Sequence, residues 1–151
     1  MTLSLRSLCI GLGAVLATSL ACAQATPVGL WKTIDDETKQ PKAYIRIVET
    51  NGVYSGTLEK IIDPSGPPNA VCKACTDDRK DKPLVGLQLL RGVRQNADDK
   101  TVFDGGHILD PDKGTDYRVK LKPIEGGAKL EVRGFIGFAL LGRTQTWLRA
   151  E

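Results

Sequence analysis

The feature that most constrains this chain is a period of two. Between Gly29 and Arg149, apolar and polar residues alternate in runs of six to ten, and turn signals separate the runs. "TDYRVKLKPI" (115–124) is the clearest case, with Tyr117, Val119 and Leu121 on one side and Arg118, Lys120 and Lys122 on the other. An extended strand with one face on a core and one in water places its side chains in this way. The same rhythm marks "GLWKTI" (29–34), "KAYIRIVET" (42–50), "VYSGTLEKII" (53–62) and "LVGLQLLRGV" (84–93). It continues in "KTVFDGGHIL" (100–109), "KLEVRGFIGF" (129–138) and "RTQTWLR" (143–149). In 129–138 the period puts Leu130, Val132, Ile136 and Phe138 on the core side and Glu131 and Arg133 outside. Asn51-Gly52 between two runs is a strong hairpin signal, because both central residues of that turn favour positive φ. No stretch sustains a capped helical period, although 84–93 also fits a short helix by pattern.

About eight strands joined mostly by tight turns predict an antiparallel up-and-down β-barrel, which leaves no open sheet edge. A two-sheet β-sandwich is the alternative. A hollow barrel would take its ligand contacts from Tyr117, Val119, Leu121, Val132 and Ile136. The stretch "DPSGPPNAVCKACTDDRKDKP" (63–83), with four prolines and many charges, has no apolar period and reads as a loop.

The compartment is read from the first residues. One positive charge, Arg6, precedes an apolar run from Leu8 to about Leu20, and small residues follow, with Ala21-Cys22-Ala23 or Ala23-Gln24-Ala25 as the cleavage signal. That order is a secretory signal peptide over residues 1–25, too short in its apolar part for a membrane span. An uncleaved anchor and a lipoprotein modified at Cys22 are the alternatives, and Ser19 stands where a lipobox usually has a branched aliphatic residue. The remaining residues, 26–151, are the length of one domain. Without Arg6 there are 20 Lys+Arg against 18 Asp+Glu, a balance that points to neither nucleic acid nor a strongly anionic surface.

Export leaves Cys72 and Cys75 as the only cysteines, in an oxidising compartment. A zinc site wants four ligands, and this segment has no third cysteine and one histidine, His107. Asp77, Asp78 and Asp81 read instead as a solvated charge run with Arg79 and Lys80. A redox pair normally opens a helix that stabilises the thiolate, and "TDDRKDKP" contains no helical period. The pair therefore reads as a disulfide that stiffens a loop no strand pairing holds. No metal and no cofactor is expected.

Catalysis finds little support. Ser55 lies in a strand and Ser65 in a Pro-Gly loop, and His107 is the single imidazole. Asp104, Asp110 and Asp112 carry no EF-hand spacing. The stretch "RGFIGFALLGRTQTW" is the most apolar after the leader, and it reads either as a covered hairpin or as an apolar rim for a ligand, a lipid surface or a partner.

Two resemblances sharpen the fold. Gly29-Leu30-Trp31 on the first strand and Arg149 at the end of the last resemble the lipocalin and wider calycin pattern. That resemblance implies a Trp31 indole at the barrel floor with the Arg149 guanidinium across it, and Arg143 as a rival partner. More broadly, "GLWKTIDDETKQPKAYIRI", "NAVCKACTDDRKDKPLVGL", "GGHILDPDKGTDYRVKLK" and "LEVRGFIGFALLGRTQTW" resemble the bacterial domain-of-unknown-function 2147 (DUF2147) family. The resemblance implies a small exported lipocalin-like barrel and no assigned catalytic residues. His107 departs from the family pattern, which has a residue such as Lys there.

The expectation is a periplasmic barrel that binds or carries a small apolar or amphipathic ligand or lipid. A filled barrel acting on an envelope protein partner and a Cys72–Cys75 thiol–disulfide protein are the alternatives.

Overall fold

The computed structural model describes residues 25–151; Cys9, Cys22 and nearly all of the expected signal peptide lie outside them. Eight strands run in chain order: β1 (Gly29–Ile34), β2 (Pro41–Thr50), β3 (Val53–Ile61), β4 (Gln88–Gln95), β5 (Phe103–Asp110), β6 (Thr115–Ile124), β7 (Lys129–Phe135) and β8 (Arg143–Arg149). Each pairs antiparallel with its sequence neighbours, and β8 returns to β1, so the sheet is a closed eight-stranded barrel rather than a sandwich. Asn51 and Gly52 both take positive φ, 52° and 77°, and turn β2 directly into β3.

Up-and-down order puts three connections and the outer ends of β1 and β8 at one end of the barrel, and four connections at the other. The chain start and the turns at 51–52, 96–102 and 125–128 make the floor; the connections at 35–40, 62–87, 111–114 and 136–142 surround the mouth. The lower half is packed: Trp31, Ile47, Leu90, Val93, Phe103, Leu121 and Leu130 are fully buried. Tyr54 meets Phe103 edge-on, with centroids 4.9 Å apart.

The seam between β1 and β8 is short, pairing only Trp31 with Arg149 and Lys32 with Leu148. Side chains reinforce it. The Arg149 guanidinium lies 4.2 Å from the Trp31 ring centroid. Its N–H groups donate to the carbonyls of Thr26 (3.1 Å), Val28 (2.8 Å) and Gly127. Trp31 Nε1 donates to the Pro27 carbonyl at 2.7 Å. One side chain thus shields the indole and fastens the start of the chain to its end, while Arg143 sits at the opposite end of β8 and pairs with Asp36.

Strand boundaries differ from the pattern in two places. Leu84 and Leu87 pack against the core from irregular chain before β4 begins at Gln88. β7 ends at Phe135, because Gly137 turns with φ 72° into a short 3-10 turn at Ala139–Leu141. Ile136 and Phe138, expected on the core side, therefore stand in solvent, 65% and 79% exposed. Phe135 is the buried aromatic of this stretch, with the Arg118 guanidinium over its ring.

Candidate functional site

The upper half of the barrel is hollow. A cavity of about 940 Å³ opens between the mouth loops, within the range of pockets that enclose small organic ligands. Its apolar wall includes Ala43, Ile45, Leu58, Leu89, Val132 and Trp147. These are inward positions of β2, β3, β4, β7 and β8, and small or branched side chains at this level leave space that Phe103 and Trp31 fill lower down.

A polar strip runs from that wall to the rim. Trp147 Nε1 donates to Gln145 Oε1 (3.3 Å), Gln145 Nε2 donates to Asp36 Oδ2 (2.9 Å), and Asp36 pairs with Arg143. Half-buried Tyr117 faces the same space from β6. On the other side of the mouth Lys42 pairs with Asp112 at 3.2 Å. Desolvation pulls the Lys42 ammonium down, but Asp112, Asp35 and Asp110 together hold its pKa above the ordinary lysine value. Asp35 is held below the usual carboxylate range, chiefly by the Thr38 backbone N–H, and Asp63 by the Ser65 hydroxyl. The cavity is apolar inside and ionised at its opening.

Of the five residues expected to line a hollow interior, Tyr117 and Val132 border the cavity and Ile136 stands at its lip. Val119 and Leu121 point inward but lie below it in the packed half, 1% and 0% exposed. Which level of a barrel a residue occupies depends on strand stagger, which a period of two does not reveal. The lining residues on β2, β3 and β8 were missed for that reason. Trp147 did carry a signal, since it shares one face of β8 with Gln145 and Arg149.

The long connection 62–87 forms one wall of the mouth and is better ordered by contacts than its composition suggests. Cys72 and Cys75 form a disulfide, Cα–Cα 5.4 Å, with both residues buried. Contrary to the expectation of an unpaired loop, Val71 bridges Pro83, the Cys72 N–H donates to Lys82 O (2.9 Å), and the Leu84 N–H donates to Ala70 O (2.8 Å). The staple presses on the β5–β6 turn: Cys72 Sγ lies 3.6 Å from Pro111 O, and a Cβ at Gly114 would collide with the Ala74 carbonyl.

The charge run beside the staple is solvated at Asp77, Asp78, Lys80 and Asp81, but not at Arg79. Arg79 is 1% exposed. Its Nη2 donates to Asp77 (2.6 Å) and to Asp116 on β6 (2.8 Å), and its Nη1 donates to the Gln88 carbonyl (3.3 Å). Arg91 on β4 reaches Asp78 at 2.8 Å. Arg79's side-chain hydrogen bonds, then its backbone N–H, hold the Asp77 carboxyl at a pKa of about 2. A buried guanidinium thus clamps the loop to two strands.

The groups weighed for chemistry do not converge. Asp104 accepts from Asn96 near the floor end of β5, whereas Asp110 and Asp112 belong to the mouth. Ser65 Oγ donates to Asp63, and His107 lies on β5 opposite Arg91 and Arg118. Among the described residues no group of three His, Cys, Asp or Glu is arranged to hold a metal ion, and no helix is long and apolar enough to cross a membrane.

Among solved structures, the fold is similar to that of protein HP1028 from the human pathogen Helicobacter pylori, described as belonging to the lipocalin family. The TM-score is 0.71 at 19% identity, and the match covers 84% of each chain. A comparison with curated proteins finds no match. The model of DUF2147, uncharacterized proteins conserved in bacteria, matches residues 29–149, and the chain belongs to that family.

Proposed function

We propose that this protein is an exported, non-catalytic carrier that holds one small apolar or amphipathic molecule in the upper half of its barrel. The observation that carries this reading is the cavity of about 940 Å³, apolar inside and ringed by ionised groups at the mouth. An apolar body would lie against Ile45, Leu58, Leu89, Val132 and Trp147, and a polar head would remain near Tyr117, Gln145 and the Asp36–Arg143 pair. Burying apolar ligand surface supplies most of the affinity, and the few polar groups at the rim orient it.

The lipocalin-like fold supports binding over catalysis, and the leader at 1–25 supports a periplasmic location. A thiol–disulfide activity is disfavoured because Cys72 and Cys75 are 0% and 1% exposed, and exchange needs an accessible sulfur.

The test is a titration of the 26–151 protein with a fluorescent fatty acid. Saturable binding at one site is expected, and Val132→Trp, which places an indole in the cavity, should weaken it about tenfold or more, about 1.4 kcal/mol. Equal affinity in a folded Val132→Trp variant would remove the cavity from the account.

A further inference from the structure

We propose that the β7–β8 connection, residues 136–142, is a lip that docks the barrel mouth on an anionic lipid bilayer. Ile136, Phe138, Leu140 and Leu141 are 65%, 79%, 91% and 81% exposed within six consecutive residues. Among the described residues the other large exposed apolar side chains, Val28, Val48 and Val85, are scattered and less exposed. A contiguous apolar patch on an otherwise charged surface marks an interaction site. It stands where a ligand would enter, since Ile136 and Leu141 border the cavity opening.

The carbonyls at the tip of the lip are suited to hydrocarbon. A segment that enters lipid must satisfy its polar groups internally, because no water or foreign backbone is there to do so. The Leu141 N–H donates to Phe138 O (3.1 Å) and the Gly142 N–H to Ala139 O (3.2 Å). Arg133 adds two bonds from β7: its Nε donates to Ala139 O (2.7 Å) and its Nη2 to Leu140 O (3.2 Å). The three carbonyls at the tip are thus bonded within the protein, and the apolar side chains project from a braced turn.

The wall beneath the lip supplies the charge. Arg118, Lys120 and Lys122 share the outer face of β6, and Lys120 is directly opposite Arg133 on β7. Like charges facing each other across strands repel, and an anionic layer relieves that repulsion. Arg118 is level with Phe135, and Lys120 and Arg133 lie two residues lower, about 7 Å along the strands. A bilayer's polar layer is roughly 5–7 Å deep on each side, so these cations fall within it when the lip reaches the hydrocarbon. The acids of the mouth belong to the other connections: Asp36 is paired with Arg143, Asp112 with Lys42 and Asp110 with Lys113, while Asp35 and Asp63, bonded to Thr38 and Ser65, keep their charge there.

Flotation with phosphatidylcholine vesicles, with and without phosphatidylglycerol, tests the proposal on the 26–151 protein. Co-flotation only with the anionic vesicles is expected. Phe138→Ser with Leu140→Ser should weaken it about tenfold for each side chain lost from the hydrocarbon. Arg118→Gln with Lys120→Gln, the two β6 cations within that layer, should sharply reduce the preference for phosphatidylglycerol. Uptake of the fluorescent fatty acid from solution should survive the Phe138/Leu140 change, so failure of the cavity and failure of the lip are read separately. Absence of anionic-vesicle binding by the wild type, equal binding by the lip variant, or burial of the lip in a dimer would overturn the proposal.

Discussion

Replacing Arg79 by Met tests the least expected element of the structure. Methionine roughly preserves the apolar stem and removes the guanidinium, which is buried and bonded to Asp77, Asp116 and the Gln88 carbonyl. Hydrogen bonds to charged groups contribute about 1.5–3 kcal/mol each, so two carboxylates set a gross loss of about 3–6 kcal/mol. Their side chains are 40% and 42% exposed, and water recovers part of that loss. The expected net destabilisation is about 2–4 kcal/mol, or about 8–16 °C in Tm for a chain of this size. Urea denaturation followed by circular dichroism at neutral pH measures it. The same clamp predicts a pH dependence. Asp77's pKa is depressed in the folded state from 3.8 to about 2, so its contribution is complete above the unfolded value and is lost as pH falls through that interval. The gap between Arg79→Met and wild type should therefore narrow from about pH 4 downward. A loss below about 0.5 kcal/mol at neutral pH would mean that desolvation of the cation cancels its bonds, and the clamp argument would fail.

Two further substitutions probe the floor and the staple. Trp31→Ala should cost about 3–5 kcal/mol for the cavity it leaves, and Arg149→Ala about 1–3 kcal/mol for the uncovered indole and the carbonyls of Thr26, Val28 and Gly127; chemical denaturation reads both, and no loss in either would refute the floor-and-cover account. Cys72→Ser with Cys75→Ser opens a loop so short that the chain-entropy contribution is only about 2 kcal/mol, and a loss confined to that amount, with protease cuts appearing within 62–87, is expected in thermal melts and limited proteolysis.

How much of this was legible in the sequence depends on the range of the forces involved. Strands β1, β6 and β8 end where the alternation ends, because each is bounded by residues that cannot continue it, and Asn51-Gly52 specifies its own turn. The seam was legible through Trp31 and Arg149 because a family resemblance carried it. Ile136 and Phe138 were misplaced because a period of two was extended past Phe135, where the chain leaves the sheet into the turn at Gly137. Arg79 was misread because one of its carboxylates, Asp116, lies 37 positions away on β6, and only the closed barrel brings them together. The hollow itself is a matter of side-chain volume at one level of eight staggered strands, set by Ala43, Ile45, Leu58 and Val132 jointly. No single stretch records it.

The most direct test of the central claim is native mass spectrometry of the protein expressed from its full sequence in bacterial cells and isolated without detergent. The account predicts a bound apolar or amphipathic mass, one per chain, that is lost on denaturation and absent from Val132→Trp. A bare chain that also takes up nothing from a lipid extract of the same cells would contradict it.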